Sequence, residues 1–488
     1  MTKSKTTSTP LLPDFHLKTL RKSPRSAQQK RREDLDKLAS KRLDHLADML
    51  KDFVPLKELE PANKGLGSRE RLYSKVNTFW AFLQQVWSED GSCQEAVHRI
   101  IEQAQAHGIK VKPSTSTSAY VQARKRLDLD TLWSILYHGA GAMELEPNEC
   151  FPESRPWILV DGTSFSMPDT ESNQEEWPQP SNQKPGIGFP VMKAVATFSL
   201  GSGAILDAET GNQHEHELML FRRMYESFSI GDILLGDRGF CGWQMMVELQ
   251  QKRVDSVFRL HGMRKPVSKK DALSCFSDGD LLIEQKRPQW REATGVDKEE
   301  WKALPEKLTL RQISFKVETP GFRSETIHLV TTLLDAETYP KEFLMEMYLR
   351  RWKIEVVFRD IKISMDWDLM RCKSPEMVRR EFVMMLIGYN AIRYLQLQAA
   401  HQAGLDIESL SFKSSLQVIR IWERRFRCAQ KEKRNVMALL LEQIASVLIP
   451  ERPNRAEPRV KKRRPKKAKL MTRPRAELKA EMLRKQAA

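Results

Sequence analysis

The sequence predicts an α/β protein: a core mixing strands and helices from about residue 150, a helical region ahead of it and a basic tail behind it. Three observations predict this. Short apolar runs bounded by Gly, Pro and Asp recur between 156 and 261 and alternate with segments of helical period, the pattern of a sheet covered by helices. Residues 31–148 carry helical periodicity with no strand signal to match. Residues 451–488 hold 15 Lys/Arg against 4 Asp/Glu, which is +11 of the chain's net +16.

At 488 residues, 40% hydrophobic and 30% charged, the chain can bury a large core, and two or three domains are expected. Residues 1–30 are polar and basic and read as a flexible arm. The tail, 449–488, implies a polyanionic partner, nucleic acid first among them; a solubilising tail is the alternative. Six cysteines are scattered without a C-x-x-C pair, which speaks against a disulfide framework and a zinc ribbon. No apolar run approaches the roughly 18 residues of a membrane span. The Ser/Thr/Lys-rich start has no apolar h-region, so no secretory signal and no membrane partner are expected. A reduced, cytoplasmic protein follows as the expectation.

Along the chain, "REDLDKLASKRLDHLADMLKDFV" (32–54), "KVNTFWAFLQQVW" (75–87), "CQEAVHRIIEQAQAHG" (93–108) and "SAYVQARKRLDLDTLWSILYHG" (118–139) read as four helices. The third ends at Gly108, a C-cap type of residue, and "STSTS" offers N-caps to the fourth. The fourth carries Gln122, Arg124, Lys125 and Arg126 in its early turns. A basic helix after a loop suits a DNA-reading unit, and Arg124 and Lys125 are its candidate contacts; any helical bundle would read the same way. "PWILVDG" is then a short strand running into Asp161. A Pro/Gln-rich loop spans 169–190, and "MKAVATFSL" and "GAILDAETG" follow as strands joined by a Gly-Ser-Gly turn. "HEHELMLFRRMYESF" reads as a helix, "GDILLGDRGF" as a strand ending at Asp237, "GWQMMVELQQKRVD" as a helix and "SVFRLHG" as a strand. The order is β-β-β-α-β-α-β. Between 262 and 338, "LTLRQISFKVE" and "ETIHLVTTLLD" have strand periodicity, and helices resume from 340 to about 448 with a break near "CKSPE".

Acids therefore end the first and fourth strands, and a third stands on a helix. In "YLRRWKIEVVFRDIK", Arg351, Glu355 and Lys362 follow Tyr348 at 3, 7 and 14 residues. At about 100° per residue all four share one narrow face of a single helix. Taken alone, that is a surface helix with an ordinary Arg–Glu pair worth a few tenths of a kcal/mol. Taken with Asp161 and Asp237, it is a set of three carboxylates that can converge on two divalent metals. Oxygen-only ligation favours Mg²⁺ or Mn²⁺, and a pair of such ions clamps the attacking and leaving oxygens of a phosphodiester. His214 and His216 lie beside a helix start, where polar caps outweigh a metal reading. Arg238 reads equally as a phosphate contact or as a sheet-edge ion pair.

These motifs resemble the DDE transposases of bacterial insertion sequences, in particular the fourth insertion-sequence family with its Y-x2-R-x3-E-x6-K signature, matched here at Tyr348, Arg351, Glu355 and Lys362. "LVDGTSFSMPDT" and "LLGDRGF" resemble the family's two Asp blocks. "RCKSPEMVRREFVMMLIGYNAIR" resembles the segment after the Glu helix, and "TFWAFLQQVWSEDGSCQEAV" with "SAYVQARKRL" the amino-terminal region of one branch. The resemblance spans roughly 75–455. It implies an RNase H-like catalytic core, 150–261 and 339–448, interrupted by a β-rich insertion at 262–338, with a DNA-binding region at 31–148. Asp161, Asp237 and Glu355 would hold two Mg²⁺ (or Mn²⁺) ions. Tyr348, Arg351 and Lys362 would hold DNA near the scissile phosphate. It also implies cut-and-paste transposition by a homodimer that synapses two transposon ends. Some relatives pass through a DNA hairpin, which needs an aromatic platform for a flipped base. His328 is the candidate there, with Trp290 and Trp301 as alternatives. A catalytically silent DNA-binding descendant and a metal-dependent nuclease are the competing readings.

Overall fold

The computed structural model describes residues 49–59, 72–106, 116–144, 149–291, 295–317, 325–351, 353–428, 433–450 and 471–487. The amino-terminal arm, most of the expected helix 32–54, Gly108 and much of the basic tail lie outside these residues.

Four helices open the described chain: α1 Lys75–Trp87, α2 Cys93–Ala106, α3 Ser118–Lys125 and α4 Leu129–Met143. The segment expected as one helix over 118–139 is two. Asp128 is the reason: its carboxylate accepts the Thr131 N–H at 3.2 Å and starts a new helix. α1 is buried almost all round, because it is clamped by the carboxy-terminal helices. Trp87 Nε1 donates to the Gly388 carbonyl (3.0 Å), and Trp367 Nε1 donates to the Val86 carbonyl (3.1 Å).

The centre is one mixed sheet of nine strands in the order β3-β2-β1-β4-β5-β9-β8-β7-β6. The strands are β1 Trp157–Ser166, β2 Val191–Ser199, β3 Ile205–Gly211, β4 Ile233–Gly236, β5 Asp255–Arg259, β6 Ser274–Ser277, β7 Asp280–Lys286, β8 Lys307–Val317 and β9 Glu325–Thr331. β1, β2 and β3 pair antiparallel, while β4 lies parallel to β1 and β5 parallel to β4. Helices α5 Glu171–Glu176, α6 Glu217–Arg223, α7 Trp243–Gln251 and α8 Lys298–Ala303 intervene. α5 lies in the stretch expected to be all loop, started by Thr170, whose hydroxyl accepts the Asn173 N–H. Among the described residues, the segment 262–338 builds no sheet of its own. β9 pairs antiparallel with β5 and carries β8, β7 and β6 outward, because the outer edge of β5 would otherwise leave unpaired backbone.

Side chains alternate across the sheet. Trp157, Leu159, Ile233, Leu235 and Val257 face the core shared with the long helices. Ile158, Val160, Leu234 and Phe258 face α6, α7 and Trp301 of α8. After β9 come α9 Lys341–Arg350, α10 Lys353–Arg359, a π turn Asp360–Ser364, and the 29-residue α11 Pro375–Ala403, followed by α12 Phe412–Cys428, α13 Lys433–Ala445 and α14 Arg475–Ala487. α11 ends at Gly404 in the left-handed conformation (φ 64°). Midway along it, Asn390 grips the backbone of β3, accepting the Ile205 N–H and donating to its carbonyl, both at 2.8 Å.

The single helix expected over 348–362 is broken. The N–H of Arg351 bonds Tyr348 (3.1 Å) and that of Ile354 bonds Arg351 (3.1 Å), so three-residue bonds tighten the chain on both sides of 352. The π turn then closes with the Met365 N–H on Asp360 (2.9 Å). Tyr348, Arg351, Glu355 and Lys362 therefore do not lie on one regular helix: they are spread over α9, its C-cap, α10 and the π turn.

Candidate active site

Asp161 is not at the end of its strand, as expected, but inside it: β1 runs on to Ser166 because β2 continues to pair with it, Asp161 opposite Ala196. What ends at Asp161 is the parallel pairing with β4, whose last register pair is Val160–Gly236. One step further in that register stands Asp237, which caps a 3₁₀ turn over 238–240 by accepting the Arg238 N–H at 2.6 Å. The two aspartates therefore meet at the top of the β1–β4 seam.

Their surroundings are charged and half-buried. Burial pushes the Asp161 carboxyl up to about 6, and the negative charges of Asp237 and Glu217 add to this. The Gly162 N–H, donated to Asp161 Oδ1 at 2.8 Å, and the Arg351 guanidinium, 3.9 Å from Oδ2, work the other way. Arg351 is 7% exposed, and its guanidinium also lies 5.8 Å from the Tyr348 ring. Burial raises the Tyr348 phenol, which feels Arg351, Asp237 and Arg259. Lys362 stands apart from these groups: it donates to the Ser164 carbonyl (2.7 Å), with its ammonium 5.1 Å from the Phe165 ring, and burial lowers its pKa. Arg238 is exposed beside Asp237 and forms no ion pair among the described residues, so the sheet-edge pair is set aside.

Glu355 is exposed on α10, and no group of three or more His, Cys, Asp and Glu among the described residues is close enough to hold a metal ion. Asp161 and Asp237 fit a hard divalent cation: they are oxygen donors at adjacent register positions, and the negative charge crowding Asp161 is what a cation would offset. Glu355 stands on α10, which begins at Lys353, while Arg351 lies at the end of α9.

Other candidates separate cleanly. Arg124 does not face a ligand. It is 2% exposed, its guanidinium lies 3.8 Å over the Phe82 ring, and it bonds Gln85 Oε1 (3.4 Å), Cys93 Sγ (3.3 Å) and Cys372 Sγ (3.2 Å). The helix break at Asp128 and the packing of α3 on α1 turn it inward, while Lys125 and Arg126 stay exposed. His328 pairs across from Ser314 in β8, its Nδ1 2.8 Å from the hydroxyl, with its pKa lowered by burial and by Arg259. Trp301 is 5% exposed, packed on Trp243 and bonded to Pro288, which leaves it no face for a base. Trp290 is 37% exposed and donates to Val296. His216 caps α6, accepting the Leu218 N–H at 3.5 Å; His214 is exposed. The sequence reading missed Arg259 and Glu217. Glu217 directly follows "HEH" in the sequence, where nothing local links it to Asp161.

Residues 152–391 match the family described as transposase DDE domain. Over 392 residues the chain is 26% identical to "Transposase InsG for insertion sequence element IS4" of Escherichia coli (strain K12), spanning 76% of this chain and 82% of that one. Among solved structures it is similar to the piggyBac transposase in a cryo-EM synaptic complex with hairpin DNA, at 10% identity, a TM-score of 0.39 and 84% coverage of each chain. The family match takes in both aspartate blocks and the whole of 348–362, so residues 152–391 carry a DDE transposase domain, and the chain is similar to the transposase of insertion sequence element IS4.

Proposed function

We propose that the chain catalyses cut-and-paste transposition of an insertion sequence, acting in the cytoplasm as a homodimer on two transposon ends and a target duplex. The observation that carries the reading is the β1–β4 register, which sets Asp161 and Asp237 side by side within the family's domain. The strand order β3-β2-β1-β4-β5, in which only β2 runs opposite to the other four, supports an RNase H-like core that the strands of 262–338 extend. No helix among the described residues is long and apolar enough to cross a membrane.

Asp161 and Asp237 would hold Mg²⁺ or Mn²⁺, two ions in the full site, with Glu355 as the third carboxylate. When bound, such ions stabilise charge on the attacking and leaving oxygens of the phosphodiester. Arg351 then exchanges Asp161 for a DNA phosphate, with Tyr348 beside it, and Arg238 and Lys125 offer exposed cations to the backbone. Lys362, anchored on Ser164, steadies the strand on the β1 side. His328, its ring held by the Ser314 hydroxyl, is the platform candidate.

The competing readings are a silent DNA-binding descendant and a metal-dependent nuclease. Incubating the protein with Mg²⁺, paired end DNA and a target plasmid decides among the readings. Joined products support transposase; cutting without joining leaves a nuclease; binding alone leaves the silent protein.

A further inference from the structure

α9 starts without a side-chain cap of its own. Pro340 occupies its N-cap position, and the backbone just ahead of it is held from a distant strand. Arg311, on β8 of the segment 262–338, donates from Nη1 to the carbonyls of Tyr339 (2.7 Å) and Asp335 (3.4 Å). The rest of its guanidinium is fixed by Asp280 at the start of β7, with Nε on Oδ1 at 2.8 Å and Nη2 on Oδ2 at 2.6 Å. Both side chains are buried. We infer that Arg311 is a positioning residue for the reaction: it fixes the start of α9 against the added strands, and so sets where Tyr348 and Arg351 stand beside Asp161. This rests on the function proposed above.

Tyr339 is gripped at both ends. While Arg311 holds its carbonyl, its hydroxyl donates to Glu153 (2.8 Å) and accepts from Arg155 Nη1 (3.2 Å). Arg155 in turn bonds Asp255 of β5 (2.6 Å) and the Gly231 carbonyl (2.7 Å), so the start of α9 is tied to the central strands and to the added ones at once. A second tie runs beside the first. Lys341 Nζ, in the first turn of α9, donates to the Asp278 carbonyl (2.6 Å) in the turn between β6 and β7. At the far end of this ten-residue helix Tyr348 is buried, and Arg351, its C-cap, lies 3.9 Å from Asp161. Apolar side chains of like volume can replace a buried ion pair with little loss of stability. What Arg311 adds beyond such a side chain is direction: its planar fork, locked on Asp280, aims the remaining donor at two carbonyls.

The double variant Arg311→Met/Asp280→Leu of the full-length protein removes both charges together and strands neither, which separates placement from stability. It should melt close to the wild type and bind end DNA equally well in a gel shift. Its single-turnover, Mg²⁺-dependent cleavage of bound end DNA should fall by about 100-fold, the cost of a misplacement of about 1 Å. Amide exchange read by mass spectrometry should rise several-fold over 341–351 and stay at the wild-type level over 157–166 and 233–236. Arg311→Lys keeps a cation on Asp280 but lacks the fork that reaches both carbonyls, and should show the same defects in weaker form. It carries the test if the double variant does not fold. If the folded variant cleaves at the wild-type rate, or its exchange over 341–351 is unchanged, the inference fails and the transposase reading stands. If the wild type itself leaves end DNA uncut, both fail.

Discussion

At the scale of single residues, the charge around Asp161 governs both chemistry and stability. Asp161→Asn, Asp237→Asn and Glu355→Gln should each lower Mg²⁺-dependent cleavage of end DNA by several orders of magnitude while end binding in a gel-shift assay persists. If Glu355 is only a surface acid, Glu355→Gln costs under about 1 kcal/mol of stability and activity stays. Near-normal cleavage by that variant would refute its catalytic role. Asp161 also predicts a pH dependence. Its carboxyl titrates at about 6 in the folded protein against 3.8 ordinarily. Between these two values the metal-free native state keeps a proton that the unfolded chain has released. Its contribution to stability is complete below the ordinary value and is lost as pH rises through about 6. Asp161→Asn cannot ionise, so without metal it should melt higher than wild type at neutral pH, by the equivalent of roughly 1–3 kcal/mol. Saturating Mg²⁺ should reverse the order, since only the wild type binds it well. Thermal melts at two pH values, with and without Mg²⁺, check both arms.

At the scale of elements, Arg124 shows how a basic helix can be misread. It ties α1, through Phe82 and Gln85, to α2, through Cys93, and to the turn before α11, through Cys372. Arg124→Ala should therefore act on folding, lowering stability by about 2–5 kcal/mol in a denaturant titration, because it empties a buried site and strands its partners. Lys125→Ala, on the exposed side of the same helix, should leave stability alone and weaken DNA binding by about 1–3 kcal/mol. The opposite pattern, stable Arg124→Ala with lost end binding, would restore Arg124 as a DNA contact.

At the scale of the whole molecule, the helical region and the catalytic part share one core. Trp87 and Trp367 exchange indole hydrogen bonds with Gly388 and Val86 across that junction, and Gln84 donates to Glu423 at 3.1 Å. A chain beginning near 150 would expose this surface and is expected to lose cooperative unfolding; a sharp, wild-type-like transition from 150–488 would show the two parts to be independent. The tail acts differently. Its 15 cations should release counterions on DNA, with a slope of about −0.9 in log K against log salt per phosphate neutralised. Removing 451–488 should flatten that slope and keep the preference for end DNA. An unchanged slope would show that the tail does not touch DNA.

The sequence by itself determined the α/β class, the order of the five strands between 157 and 259, the two aspartate blocks and the 348–362 signature. These are local matters: apolar period, turn residues and residue spacing are written within a few turns of chain. Tertiary structure alone decided four others. β2 carried β1 past Asp161, and β5's open edge drew 262–338 into the same sheet. Arg124 turned inward because α1 offered it Phe82 and Gln85. Glu217 came to rest on Gly162 because α6 packs over β2 and β3. Each depends on a partner distant in sequence, and a hydrophobic period or a motif spacing carries no information about which distant surface will cover a strand edge or accept a charge.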